Sequence, residues 1–379
     1  MFKLIRPLNL FYVALIMLLL RYCIVTPLFG FTNYQLSLST WQYLLLVLST
    51  LLITAGGYII NDYYDVAADT FNKPMKLIIG THVSPEQALK VYMICNALGL
   101  GLALYLATVA GSYKLVFVQL LAAILLWFYS TKLQKMPLIG NLTIAFLGAL
   151  MVLLPAFYEA ALADQLIATV LILFGFGKET IEALGITLSE YSASVLTYFY
   201  SYAFFAFLFT LVREIVKDAE DAEGDENAGY KTLPIVAGLQ IAKLLAVVVV
   251  LIAINYLVKF MIIEFAYKQY ASTIGIAGLI VLPCIYMVYG LWKARVSNDF
   301  HQLSTLIKAI MFAGLLYMPY LRSTIQSAGV TYTSPNGETT DIQFTPNTDS
   351  TTNTLTNDTT AIQTDTTQQK HEINIEPIN

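Results

Sequence analysis

The sequence predicts an all-α, polytopic membrane protein: a nine-transmembrane-helix bundle over residues 1–326 followed by a polar, disordered tail over 327–379. Three observations carry that prediction. Hydrophobic residues make up 57% of the 379 and charged residues only 12%, with a mean hydropathy of +0.66. Soluble domains hold roughly 25% charged residues, so the missing charge points to a solvent other than water. The apolar residues are also gathered into nine runs near the roughly 20 residues a helix needs to cross a bilayer. Last, Lys and Arg are unevenly shared between the two sides those runs define.

The runs cover residues 8–28, 41–60, 87–108, 113–130, 138–158, 194–213, 238–257, 272–292 and 303–322. The first follows Lys3 and Arg6 and continues to Leu28 without a small-residue cleavage site, so it is a retained span rather than a signal peptide. The stretch 161–177 is apolar but short, and Lys178, Glu179 and Glu182 follow it. It is expected to be an outer loop with an interfacial helix. With the N-terminus inside, 14 of the 21 Lys and Arg fall on the inner side, among them Arg6, Lys132, Lys217, Lys293 and Lys308. That bias orients the N-terminus to the cytoplasm and the C-terminus outside, in a bacterial-type inner membrane. From Ser327 the chain turns to Thr, Asn, Asp and Gln and offers too little apolar surface to offset chain entropy. Cys23, Cys95 and Cys284 lie far apart in apolar runs and make neither a disulfide framework nor a metal spacing. The net charge of −4 comes with no basic stripe of interleaved aromatics, which sets nucleic acid aside as a partner.

In so apolar a chain, clustered charge marks chemistry. Two segments, Asn61 to Asp69 and Asp218 to Asp225, share one pattern: Asp, two residues, Asp, three residues, Asp. On a helix, positions i, i+3 and i+7 fall within an arc of roughly 60°, so Asp62, Asp65 and Asp69 would share a face, as would Asp218, Asp221 and Asp225. Both stripes end on the inner side. A carboxylate facing lipid costs roughly 2.5–3.5 kcal/mol, so six belong in a wet cavity. One acidic stripe at a helix end reads as well as a solvated face; two of identical spacing on one side of a bundle read as a divalent-cation site. Mg²⁺ in particular takes one or two carboxylates, waters and substrate phosphate oxygens. Glu220 and Glu223 fall off the stripe and are expected to face solvent. Cations for a diphosphate are available at Lys73, Lys76, Lys132, Lys135, Arg213 and Lys217. Lys217, beside Asp218, is the strongest of them, although each alone also suits a positive-inside anchor.

These residues resemble the UbiA-type family of intramembrane prenyltransferases, whose two aspartate-rich motifs read NDxxDxxxD and DxxxD or DxxDxxxD in a nine-helix bundle. The first is complete at Asn61, Asp62, Asp65 and Asp69, and the second at Asp218, Asp221 and Asp225. Asn72-Lys73-Pro74, Tyr129-Ser130, Gly140-Asn141, Gly229, Lys231, Thr232 and Pro234 agree as well, and the similarity spans roughly 5 to 323. Two departures stand out. The family often reads Leu-Lys-Arg where this chain has Leu133-Gln134-Lys135, leaving the basic contact to Lys132 or Lys135, and the segment around 161–192 has no counterpart. Arg213-Glu214, Lys217-Asp218 and Gly224-Asp225 look most like the digeranylgeranylglyceryl phosphate synthase branch.

The resemblance implies a Mg²⁺-dependent enzyme of lipid biosynthesis. Its donor would be an allylic polyprenyl diphosphate of geranylgeranyl type, and its lipophilic acceptor geranylgeranylglyceryl phosphate. Dihydroxynaphthoate or hydroxybenzoate is the alternative acceptor. It further implies that the six aspartates hold the metal, and that Asn61, Lys73, Tyr129, Lys132, Lys135, Asn141, Arg213 and Lys217 bind substrate. The Phe and Tyr side chains would shelter an allylic cation. Two other classes compete. An ion-coupled secondary transporter would carry broken helices near the midplane, whereas these stripes sit at helix ends. A CDP-alcohol phosphotransferase would show an Asp-Gly-x-x-Ala-Arg signature, which the chain lacks.

Overall fold

In a computed structural model of the chain, residues 4–30, 35–72, 77–183, 190–327, 330–333 and 339–342 are described. Among them, nine helices are long and apolar enough to cross a membrane. They are α1 (Pro7–Phe29), α2 (Thr40–Tyr64), α3 (Pro85–Val109), α4 (Lys114–Thr131), α5 (Ile139–Phe157), α6 (Val195–Glu220), α7 (Leu239–Ala266), α8 (Tyr270–Lys293) and α9 (Ser297–Ile325). Each coincides with an expected run; α4 and α5 match theirs to within one residue at each end, and the others extend theirs at one or both ends. The chain is an integral, multi-pass membrane protein.

Local chemistry sets the helix ends. Ser39 and Ser84 open α2 and α3 with reciprocal capping boxes to Gln42 and Gln87. Pro27 and Pro283 cannot continue the i to i−4 ladder, and α1 and α8 widen into π turns at Leu20–Val25 and Ala277–Val281 just before them. Large apolar side chains such as Leu98, Phe117, Leu244 and Ile274 stay exposed on the outside of the bundle, as a lipid-facing surface requires.

Two helices act as hubs. The second packs against α1, α3 and α4, and the sixth against α5, α7 and α9. Both carry an aspartate motif at the same end of the bundle. The α2–α3 contact is close because Gly99 has no side chain: a Cβ there would lie 2.8 Å from Ile53, and Ser49 Oγ donates to the Gly99 carbonyl at 2.6 Å.

The segment expected as an outer loop is helical over Ala160–Leu173 and Lys178–Ala183. It is tied down by a buried ion pair, since Arg21 Nη1 donates to Glu159 Oε1 at 2.8 Å. All three cysteines are buried and free. Beyond α9, Val330–Thr333 pairs antiparallel with Thr339–Ile342, a short element built on β-branched Thr, Val and Ile inside the polar tail. The disorder expected over 327–379 otherwise falls on residues 328–329, 334–338 and 343–379, which lie outside the described residues.

Candidate active site

The stripes are not continuous helices. The second helix stops at Tyr64, Asp65 takes φ −90° and ψ 1°, and a new helix runs over Val66–Asn72. The sixth stops at Glu220, Asp221 takes φ −95° and ψ 4°, and a new helix runs over Ala222–Asn227. The middle aspartate of each motif thus occupies the same bridge conformation, a region where active-site residues are common. Hydrogen bonding survives the bend: Asp65 N–H donates to Asn61 O at 2.9 Å and Asp221 N–H to Lys217 O at 2.9 Å. The expected single face is therefore a bent one. The bend lets the two short helices pack against each other, which sets motif against motif.

Asp65 meets three side-chain donors. It accepts from Asn61 Nδ2, from Gln134 Nε2 at 2.6 Å and from the Tyr230 hydroxyl at 3.0 Å. Burial holds its carboxyl above the usual carboxylate range, against the pull of Lys217 and of its hydrogen bonds to Tyr230 and Gln134. Asp62 pairs with Arg6, whose guanidinium also lies 5.0 Å over the Tyr58 ring. Burial works against the Arg6 charge, but Asp62, Tyr58 and Asp69 together more than offset it and the guanidinium is held above its ordinary range. Asp218 accepts from Asn141 Nδ2 at 2.8 Å. The Tyr230 hydroxyl is raised by burial first and then by Asp65, Asp225 and Asp69, so three motif carboxylates from both arms lie within its electrostatic reach.

Two glycines build this arrangement. A Cβ on Gly140 would lie 2.8 Å from the Leu133 carbonyl and the Gln134 Cα, so only glycine lets the Leu133–Lys135 turn sit down on α5 and aim Gln134 at Asp65. Gly229, at φ 75°, closes the Ala222–Asn227 helix with a Schellman motif: Tyr230 N–H donates to Asp225 O at 2.8 Å and Gly229 N–H to Glu226 O at 3.0 Å. That turn delivers Tyr230 to Asp65.

Behind the aspartates lies an apolar chamber of about 570 Å³. Asn61, Tyr129, Arg213 and Lys217 line its aspartate-side end, and Phe209, Phe205, Tyr202 and Tyr198 line it farther along α6. From Lys217 to Tyr198 the helix rises about 28 Å, close to the full hydrocarbon thickness of a bilayer.

The residues named from sequence divide as follows. Asn61, Tyr129, Arg213 and Lys217 line the chamber, and Asn141 holds Asp218. Of the two lysines left open, Lys135 lies 5.0 Å over the Tyr230 ring, while Lys132 is exposed. Lys73 and Lys76 lie outside the described residues. Glu220 corrects the solvent-facing expectation: it meets His301 Nδ1 at 2.8 Å because α9 begins against the end of α6. Glu223 is exposed, as expected. Lys308, counted among the inner cations, lines the chamber from α9. Arg6, Gln134, Glu214 and Tyr230 received no site role from the sequence. Gln134 entered only as a departure from the family pattern and Glu214 only as part of the Arg213-Glu214 pair.

The donor set suits a hard dication, with buried carboxylate oxygens oriented largely by neutral amides and a phenol. Among the described residues no three acidic, imidazole or thiol groups converge into a protein-only cage.

A model of the UbiA prenyltransferase family matches residues 23–316. The chain belongs to this family. Among curated UbiA-family relatives, the digeranylgeranylglyceryl phosphate synthase of Methanopyrus kandleri is 32% identical over 269 residues, covering 70% of this chain and 81% of that protein. The synthase of the same name from Methanothermobacter thermautotrophicus is 36% identical over 200 residues, covering 53% of this chain but only 57% of its own length. Among solved structures, a UbiA homolog from Archaeoglobus fulgidus bound to GPP and Mg²⁺ aligns with TM-score 0.53 at 19% identity, covering 85% of this chain and 98% of that one. A structure concerned with digeranylgeranylglyceryl phosphate synthase in membranes gives TM-score 0.53 at 22% identity, covering 85% and 97%. The structural likenesses establish a shared fold for this prenyltransferase.

Proposed function

We propose that this UbiA-family prenyltransferase moves a geranylgeranyl-type chain from its allylic diphosphate to the hydroxyl of a lipid-borne glycerol phosphate, with geranylgeranylglyceryl phosphate as the acceptor. The observation that carries the reading is the pairing of two bent aspartate arms with the near end of a long apolar chamber. A molecule with a diphosphate head and a long isoprenoid tail matches that division. The archaeal relatives support the choice of acceptor. The Lys and Arg bias supports an orientation with the arms and N-terminus toward the cytoplasm.

Asp62, Asp65, Asp69, Asp218, Asp221 and Asp225 would hold the metal; when bound, Mg²⁺ neutralises the diphosphate and assists its departure. Asn61, Gln134 and Tyr230 fix the Asp65 carboxylate, and Asn141 fixes Asp218. Lys217 and Arg213, at the chamber's inner end, add positive charge where the diphosphate leaves, with Lys135 behind Tyr230 and Lys73 available from the following segment. The chamber wall aligns the tail, excludes water and offers aromatic faces to an allylic cation as its C–O bond opens.

The test is product formation by detergent-purified protein from labelled geranylgeranyl diphosphate, with and without Mg²⁺. Geranylgeranylglyceryl phosphate, dihydroxynaphthoate and hydroxybenzoate are supplied in parallel. A Mg²⁺-dependent ether product with the first alone is expected. Product with an aromatic acceptor alone would move the assignment to quinone-type chemistry. No product and no donor binding would favour a transporter.

A further inference from the structure

We propose that Glu214 takes the proton of the acceptor hydroxyl as the new ether bond forms, an assignment that rests on the hydroxyl-transfer reading above. Among the described residues lining the chamber, Glu214 is the one carboxylate. The six motif aspartates are not part of that lining, and three of them already meet Arg6, Asn61, Gln134, Tyr230 or Asn141. Glu214 lies one helical turn before Asp218 on α6, farther along the chamber, with its side chain 7% exposed. Arg213 pairs with it and fixes its direction. Tyr129, from α4, is within electrostatic reach of both Glu214 and Asp218, so Glu214 borders the space between the diphosphate site and the apolar wall.

The reaction needs a proton acceptor, and Glu214 stands where the new bond would form. The bond from the donor's first carbon to the bridging diphosphate oxygen breaks, and its electron pair leaves with the diphosphate. A lone pair of the acceptor hydroxyl forms the new C–O bond, and the resulting protonated ether must shed H⁺. In a chamber built to keep water out, Glu214 receives it and becomes a neutral carboxyl, which returns the proton to solvent at the inner end after product leaves. A protonated ether is so strong an acid that any carboxylate, one paired with a guanidinium included, can accept from it. Stability alone does not explain the residue. A buried ion pair can often be replaced by apolar groups without loss, and a carboxylate within a span is costly.

The test compares wild type, Glu214→Gln and Glu214→Asp in the full chain. Three readouts are taken: donor affinity with Mg²⁺, ether formation, and bridge-to-nonbridge ¹⁸O exchange in labelled geranylgeranyl diphosphate, which reports C–O opening without acceptor. Glu214→Gln should lower ether formation by about 10²-fold or more while donor affinity and ¹⁸O exchange persist. Glu214→Asp should recover part of the loss. Ether formation by Glu214→Gln within about threefold of wild type would overturn the proposal and pass the proton to the departing diphosphate. Loss of donor affinity and exchange together with transfer, in both variants, would overturn it in favour of a purely structural pair with Arg213. A wild-type protein that opens the donor yet forms no ether would refute the reaction reading, and this assignment with it.

Discussion

The two aspartate arms share a backbone and differ in how their charge is managed. Asp65 and Asp221 adopt nearly the same φ and ψ at the same place in the same motif. Yet the first arm takes its partners from afar: Arg6 from the N-terminus, Gln134 from the α4–α5 turn and Tyr230 from beyond the second arm. The second arm carries cations on its own helix, with Arg213 and Lys217 within two turns of Asp218, and Asp218 accepts from Asn141. The first arm is therefore sensitive to changes many residues away, while the cations that flank the second arm come from its own helix. The two motifs share spacing and bend but not this arrangement of charge.

The largest effect should not distinguish the arms at all. Asp62→Ala and Asp221→Ala are each expected to lower kcat/KM by on the order of 10³-fold, equivalent to about 4 kcal/mol, with the helical circular dichroism of the bundle unchanged. Full activity in both would sink the two-arm site. The arms should separate at the next level. Gly140→Ala pushes a Cβ into backbone atoms of the Leu133–Lys135 turn, which cannot yield as a flexible side chain would. It should lift Gln134 from Asp65 and raise the Mg²⁺ needed for half-maximal activity by about 10–100-fold, the range for groups that orient metal ligands. Gln134→Leu should reproduce that rise. If Gly140→Ala acts and Gln134→Leu does not, the turn serves the first arm by another route.

The same asymmetry explains what could be read before the fold was known. All nine spans and both motifs were legible, because membrane spans need long apolar runs and motif spacing is local. The bends at Asp65 and Asp221 were not, since i, i+3, i+7 spacing fits a straight helix equally well. Gln134 and Tyr230 escaped because a neutral side chain about 70 or 165 positions from its carboxylate leaves no periodic trace. Gly140 and Gly229 were visible as letters, but only the close approach and the left-handed turn give them a reason.

A smaller, graded effect should appear with pH. Burial raises the Asp65 carboxyl, so the folded protein keeps that proton at pH values where a free Asp has lost it. Metal binding there must release the proton. Apparent Mg²⁺ affinity should therefore weaken as pH falls below the raised value, by up to about tenfold per pH unit for one released proton, and level off above it. Tyr230→Phe removes a hydrogen bond that favours the charged form, and should move this onset to higher pH. A Mg²⁺ affinity that is flat from pH 5 to 8 in both proteins would remove Asp65 from the metal site.

The smallest effect on chemistry is expected at the opposite end of the bundle, and it separates the function of charge from its structural use. There Arg21 binds Glu159 and the Leu38 carbonyl and lies 4.7 Å over the Tyr43 ring, while Ser37 N–H donates to Glu159 at 2.8 Å. This pair staples the α1–α2 loop to the start of the Ala160–Leu173 helix, far along the bundle from the aspartates. Arg21→Met leaves a buried carboxylate unpaired, which costs about 3–5 kcal/mol. The cost should show as a lower apparent Tm in detergent, with kcat per folded molecule within about twofold of wild type. Burial already raises the Glu159 carboxyl against the pull of Arg21, and losing the cation raises it further. The folded state then binds a proton where the unfolded state does not, so the variant should regain stability as pH falls and lose it as pH rises through the raised value. Adding Glu159→Gln should remove that pH dependence and recover part of the Tm. A tenfold loss of kcat in Arg21→Met, with its fold intact, would mean that this distant staple governs the chamber, and that charge at the two ends of the bundle is not divided between structure and chemistry.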